Sequence, residues 1–230
     1  MWSPCFFFME NKIDYLRQYI SEERYQRIFD VSAQRTEHLT IIVENLYQSH
    51  NMSAVLRTAE CLGIQNVHII ENKFQYQISK EVSMGSDKWL SLHRYNKNED
   101  NTIECLKKVK ELGYKIVATL PAENDQMLDE INIEQPTAFL FGTELLGLSP
   151  NAIKMADEYV KIPMYGFTES YNISVSVALT MMNTVQRLRK SNIQWQLSEN
   201  KLNQLRLDWI KKSIRDVEGI LKRYEKNNQL

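Results

Sequence analysis

Short apolar runs alternate with helical segments along most of this chain, and that alternation constrains its fold more than any other feature. Residues 39–44, 66–70, 90–94, 114–120, 137–141 and 159–162 read as strands. Between them lie segments with apolar residues at helical spacing. Residues 51–62 form one such helix, closed by Gly63. Residues 100–112 form another, closed by Gly113, and Ser149-Pro150 supplies a cap and a first-turn proline for a short third. The run Thr137-Ala-Phe-Leu-Phe141 is almost wholly apolar, as expected of a strand covered on both faces. Together these features predict an α/β domain built on a mostly parallel sheet with helices on both sides. Helices at residues 11–34, with Ser21 as a candidate N-cap, and at about 201–224 stand outside the alternation. Residues 191–200 are the best linker candidate.

The totals narrow the function classes only partly. The chain has 230 residues, enough for one large domain or two small ones. Lys and Arg number 28 against 29 Asp and Glu, so bulk charge selects no class of partner, although a local basic surface is compatible with it. The cysteines, Cys5, Cys61 and Cys105, are odd in number and lack metal-ligand spacing, which reads as reduced thiols in a cytoplasmic protein. The histidines are scattered without an HExxH pairing, so no metal is expected. No apolar run approaches the length of a membrane span. Residues 1–8 are apolar but lack the basic start of a signal peptide. They are expected to be a flexible upstream extension with Met9 as the natural start, or else a small anchor packed on the domain.

In a parallel sheet, ligands bind at the carboxyl ends of the strands. The first strand is not followed by GxGxxG, and GxxxxGK[ST] is absent, so a Rossmann dinucleotide site is disfavoured. Three other segments carry unusual chemistry. In His50-Asn-Met-Ser-Ala-Val-Leu-Arg57, Asn51 is placed to cap a helix; Arg57 either pairs with Glu60 one turn on or serves a site. In Phe141-Gly-Thr-Glu-Leu-Leu-Gly-Leu-Ser-Pro150, a buried strand runs into a loop with Gly142, Gly147 and three leucines. This is either a tight turn tucked under a helix or the wall of a pocket for a planar ligand. In the third segment, residues 162–176, another strand runs into a Gly-containing loop and a polar cluster, where Ser170 or Asn172 can cap a helix or help fix a polar ligand. Ile173 to Val177 alternates like a strand, yet Val177, Met181, Val185 and Leu188 keep helical spacing. The segment is predicted to be loop up to Tyr171 and helix from Asn172 to Lys190.

Taken in order, the three segments resemble the three motifs of the SpoU (TrmH-type) branch of the SPOUT RNA methyltransferases. Asn51 and Arg57 fit the first. Gly142, Glu144, Gly147, Leu148 and Ser149 fit the second. Ile162, Pro163, Met164, Gly166, Ser170, Asn172, Ser174 and Val175 fit the third, with Tyr171 where the family usually has Leu. The likeness runs from about residue 24 to 190, and the flanking helices resemble those of the members that act on tRNA.

The resemblance implies an α/β knot, with a C-terminal trefoil knot in the mostly parallel sheet, and a homodimer whose active site lies close to the subunit interface. It implies S-adenosylmethionine as cofactor, bound near Thr119, Leu120, Gly142, Ile162, Met164 and Tyr171. It implies methylation of a ribose 2′-hydroxyl, most directly of a D-loop guanosine in tRNA. Ribosomal RNA, the tRNA wobble position or a non-catalytic RNA-binding role are the alternatives. Arg57 would be the catalytic residue, with Asn51, Glu144, Ser170 and Asn172 shaping the site. A guanidinium stays charged in proteins, so Arg57 is easier to understand as a clamp on phosphate and developing alkoxide than as a base. Arg24, Arg27, Arg35, Arg187, Arg189, Lys211, Lys212 and Arg215 are the candidate RNA contacts. The expected organisation is an N-terminal helical region at 9–38, a catalytic domain at 39–190 and a basic C-terminal helix at 191–230.

Overall fold

The structure, a computed structural model, describes residues 4–73, 75, 83–120, 126–143 and 146–227. The chain divides into two compact units, one made of Met1–Arg35 with Gln196–Leu230 and the other of Thr36–Trp195.

In the larger unit, strands β1 (Leu39–Glu44), β2 (Asn66–Ile70), β3 (Ser91–Tyr95), β4 (Lys115–Thr119), β5 (Gln126–Met127), β6 (Thr137–Phe141) and β7 (Glu158–Lys161) form one sheet. Its order is β3-β2-β1-β6-β4-β7-β5, and every neighbouring pair is parallel. Phe139 sits in register with Ile41 on one side and Val117 on the other. The two-residue period of a strand sends alternate side chains to opposite faces. Leu39, Ile41, Val43, Val117, Phe139 and Phe141 join one apolar cluster. Ile42, Ile116, Ala118, Ala138 and Leu140 join the other.

Each cluster is closed by helices. Met52, Val55, Leu56 and Ala59 of helix α3 (Ser49–Cys61) and Ile173, Val177, Met181, Val185 and Leu188 of α6 (Ile173–Lys190) cover the first. Cys105, Leu106 and Val109 of α4 (Asn101–Glu111) and Ala152 of α5 (Pro150–Met155) cover the second. The helix ends follow their sequence signals. Asp100 caps α4 through Thr102 N and Ile103 N, Ser149 caps α5, and Gly63 and Gly113 adopt positive φ just past helix ends. The two-residue β5 escapes sequence reading because it is too short to show a period.

In the smaller unit, α1 (Pro4–Arg17) and α2 (Glu22–Ser32) pack on α7 (Glu199–Ser213), followed by α8 (Val217–Asn227). The single helix expected at 11–34 is two helices, because Ser21 takes an extended backbone and its hydroxyl accepts from Arg24 N. The single C-terminal helix is also two. Asp216 accepts from Gly219 N through its side chain and from Ile220 N through its carbonyl, and so starts a second helix. Residues 4–8 belong to α1, with Pro4 in the first turn where its missing N–H costs nothing. Residues 1–3 lie outside the described residues. No helix among the described residues is long and apolar enough to cross a membrane.

Candidate active site

β6, β4 and β7 are adjacent in the sheet, and their carboxyl ends open into a cleft of about 260 Å³. Thr119 and Leu120 line it from the end of β4, and Gly142, Thr143, Gly147 and Leu148 from the loop after β6. Val160, Ile162, Met164, Glu169, Ser170 and Tyr171 line it from β7 and the loop that follows, and Ile173 and Ser176 from the start of α6. All six residues that the resemblance implied for the cofactor therefore border one cavity, and Ser170 borders it too. Thr143, Val160 and Glu169 were not singled out in the sequence. Glu169 places a carboxylate on an otherwise largely apolar wall.

Local chain geometry explains why the cleft forms. A Cβ on Gly142 would lie 2.3 Å from the carbonyl carbon and oxygen of Gly147 and 2.5 Å from Leu148 N, so the backbone can fold back on itself only with glycine there. Thr143 and Gly147 exchange backbone hydrogen bonds of 3.0 Å, Gly147 has φ +63°, and Leu146 N donates to Thr143 Oγ1. Glu144 and Leu145 lie outside the described residues, so Glu144 has no described placement.

The far end of this loop is held by a residue that sequence reading missed. Glu44, at the end of central β1, is buried. Its carboxylate accepts from Ser149 N at 2.8 Å, from Ser149 Oγ at 2.7 Å and from Thr102 Oγ1 at 2.5 Å. Three donors, two of them on the residue that follows cleft-lining Leu148, satisfy a charge that would be costly to bury unpaired. Its signal was available: a carboxylate ending an apolar run that must lie in the sheet interior.

The first and third motifs meet through their asparagines. Asn172 caps α6, its Oδ1 accepting from Ser174 N at 2.9 Å and Ser174 Oγ at 2.6 Å, while its Nδ2 donates to Asn51 Oδ1 at 3.2 Å. Asn51 is buried inside α3 and donates to Gln48 Oε1 at 3.2 Å. It is therefore not the helix cap expected from the sequence. α3 begins at Ser49, so Asn51 already lies within its first turn and its amide is used sideways, toward α6.

The loop before α6 has its own tie. Tyr171 Oη donates to Pro163 O at 3.1 Å.

Arg57 is separate from this assembly. It is exposed, forms no ion pair among the described residues, and does not line the cleft. Six residues of helix turn it about 120° away from Asn51, so the two side chains leave α3 on different faces.

The candidate RNA contacts divide by burial. In the smaller unit Arg24, Arg27, Lys212 and Arg215 are exposed and Lys211 is half-buried. Arg35 is 1 % exposed, its guanidinium 5.1 Å from the ring centre of Trp209, so it belongs to the interior and not to an RNA-facing surface. In the larger unit Arg187 is half-buried and donates to the carbonyls of Leu128 and Ile131, fixing the chain after β5. Arg189 is exposed, stacked over Trp195 at 4.5 Å.

The model of the SpoU rRNA Methylase family matches residues 38–182, more than half of the chain, and the chain belongs to that family. A tRNA (guanosine(18)-2′-O)-methyltransferase of Borreliella burgdorferi is 42% identical over 209 residues, covering 91% of this chain and 94% of that protein. The crystal structure of the A. aeolicus TrmH/SpoU tRNA modifying enzyme superposes with a TM-score of 0.75 at 28% identity, covering 85% of this chain and 98% of that one. The SpoU methyltransferase AviRb from Streptomyces viridochromogenes, solved in complex with the cofactor AdoMet, shares the fold at TM-score 0.56 and 20% identity, over 71% of this chain and 62% of its own.

Proposed function

We propose that this protein transfers a methyl group from S-adenosylmethionine to the 2′-hydroxyl of guanosine 18 in tRNA. The observation that carries this is the convergence of the second and third motifs on one cleft, with the first motif bonded to the third through Asn51 and Asn172. The substrate follows the activity for which the Borreliella burgdorferi relative is named, and that relative aligns over nearly its whole length.

The residues present fit the cofactor. Leu120, Leu148, Val160, Ile162 and Met164 offer apolar walls to a flat purine, Glu169 offers a negative charge to a cation, and Gly142 permits close approach of backbone. The cofactor supplies an activated methyl group on a sulfonium. The protein has to orient the ribose and ease loss of the hydroxyl proton. Asn172 and Asn51 fix the start of α6 against α3, which sets Ser170 and Tyr171 at the cleft lip. Arg57 acts as a charged clamp for phosphate and developing alkoxide.

Because Arg57 does not line the cleft of its own chain, the complete site is read as shared between two copies. Val175, Leu179 and Met182 support this: they form an apolar stripe on α6, 40 to 49% exposed, opposite the face that packs on the sheet. The reading includes the family's knotted chain path, a cytoplasmic location with the tRNA pool, and RNA held by Arg24, Arg27, Arg189, Lys212 and Arg215.

The test is nucleoside mass spectrometry on tRNA incubated with purified protein and S-adenosylmethionine. Formation of 2′-O-methylguanosine, lost when position 18 is changed, is expected. Methylation only at the wobble position or in ribosomal RNA would overturn the substrate. No methylation, with no binding of S-adenosylmethionine by calorimetry, would overturn the enzyme assignment.

A further inference from the structure

Residues 163–171 form the lip of the cleft, and they have little packing of their own. Tyr165 and Phe167, at the middle of this loop, are 95% and 108% exposed, so no core contact holds them. Yet Met164, Glu169, Ser170 and Tyr171 from the same loop form cavity wall. A loop with exposed side chains at its centre needs another restraint if its flanks are to keep a fixed shape.

The Tyr171 hydroxyl supplies one. It donates to the carbonyl of Pro163, eight residues back, at 3.1 Å, and so closes the loop into a ring. At its two ends the ring is anchored by β7 and by the N-cap of α6 at Asn172. Tyr171 is 39% exposed, so packing alone does not account for a tyrosine there; phenylalanine would make the same ring contacts without the bond.

We propose that Tyr171 is a positioning residue, a hydroxyl latch that holds the cofactor lip in its binding shape before the cofactor arrives. A loop ordered in advance loses less conformational freedom on binding, so the latch raises affinity without touching the reacting atoms. The proposal rests on the cleft being the S-adenosylmethionine site.

Tyr171→Phe tests it, because only one oxygen is removed and the fold is kept. Three measurements are made on the full-length protein: S-adenosylmethionine affinity by calorimetry, kcat with KM for both substrates, and hydrogen exchange across residues 163–171 without cofactor. The expected result is about two- to tenfold weaker cofactor binding, the range one hydrogen bond spans. Loop exchange should be faster in the ligand-free variant, and the KM for S-adenosylmethionine should rise in step with the weaker binding. Unchanged affinity overturns the latch. Weaker affinity with unchanged loop exchange also overturns it, since the hydroxyl would then be contacting the cofactor directly. So does a fall in kcat at unchanged affinity, which would place the hydroxyl in the chemistry. If the wild-type protein binds no S-adenosylmethionine, the proposed function itself falls; if wild type binds and the variant binds equally, only the latch does.

Discussion

Asn172 Nδ2 donates to Asn51 Oδ1 at 3.2 Å, joining two helices across 121 residues of sequence. The same Asn172 side chain caps α6, so one residue fixes both the start of that helix and its lateral position. Asn172→Ala is expected to lower stability by about 1 kcal/mol, the usual cost of losing an asparagine cap, and to weaken cofactor binding through the displaced lip. Asn51→Ala leaves the cap intact. It should cost about 1 kcal/mol for the lost bonds in a buried setting. Urea melts and calorimetry on both variants and the double mutant check this; strictly additive losses would show that the two asparagines do not act together.

Gly142 faces the backbone of Gly147 and Leu148 with no room for a methyl group. Gly142→Ala must push the two strands of the loop apart, and backbone yields less readily than a side chain. We expect a loss of roughly 1–3 kcal/mol and an undetectable affinity for S-adenosylmethionine. A variant that still binds with wild-type affinity would show that the close approach is not needed to shape the cleft.

Arg57 is exposed and makes no ion pair among the described residues, so its removal should be nearly silent for folding. Arg57→Ala is expected to change stability by less than about 0.5 kcal/mol and to lower kcat by about 100-fold or more. Arg57→Lys keeps the charge but loses the two-pronged guanidinium. Recovery of most activity in the lysine variant would show that charge, and not fork geometry, is what the reaction needs.

His68 gives a pH prediction. It is buried on β2, stacked on His93 with ring centres 4.6 Å apart, and its Nδ1 lies 3.1 Å from Tyr95 Oη. Burial first, then the neighbouring His93 and Lys108, push its pKa down to about 3. The folded protein therefore keeps His68 neutral where the unfolded chain would take up a proton. Stability is full above about pH 6.5 and falls as pH drops toward 3, by up to about 1.4 kcal/mol per pH unit. His93 is shifted the same way, chiefly by burial, and adds to the slope. Urea melts of wild type and His68→Asn between pH 6.5 and 4.5 should show a shallower slope in the variant.

Much of the fold was legible in the sequence because strands and helices carry different periods. The strands at 39–44, 66–70 and 137–141 end where the apolar runs end, and Gly63 and Gly113 mark the helix stops. The doubtful stretch from Ile173 to Val177 is helical. Its strand-like alternation arises from small serines interleaved with the apolar face of a helix. Errors arose where a polar side chain rewrote the backbone locally. Ser21 and Asp216 each restarted a helix that periodicity alone would have continued. Arg35 looked like surface charge because sequence does not reveal that Trp209 lies over it.

By itself the sequence determined the sheet's strands, its two apolar faces, and three polar motifs at the ends of particular elements, since each of these is a local pattern along the chain. Only the tertiary structure decided which strand ends are neighbours. Parallel order β6-β4-β7 brings Gly142, Thr119 and Ile162 to one cleft, puts Asn51 against Asn172, and makes Glu44 the anchor of Ser149. Arg57 lies apart for a local reason, since six residues of helix carry its side chain to a different face from Asn51.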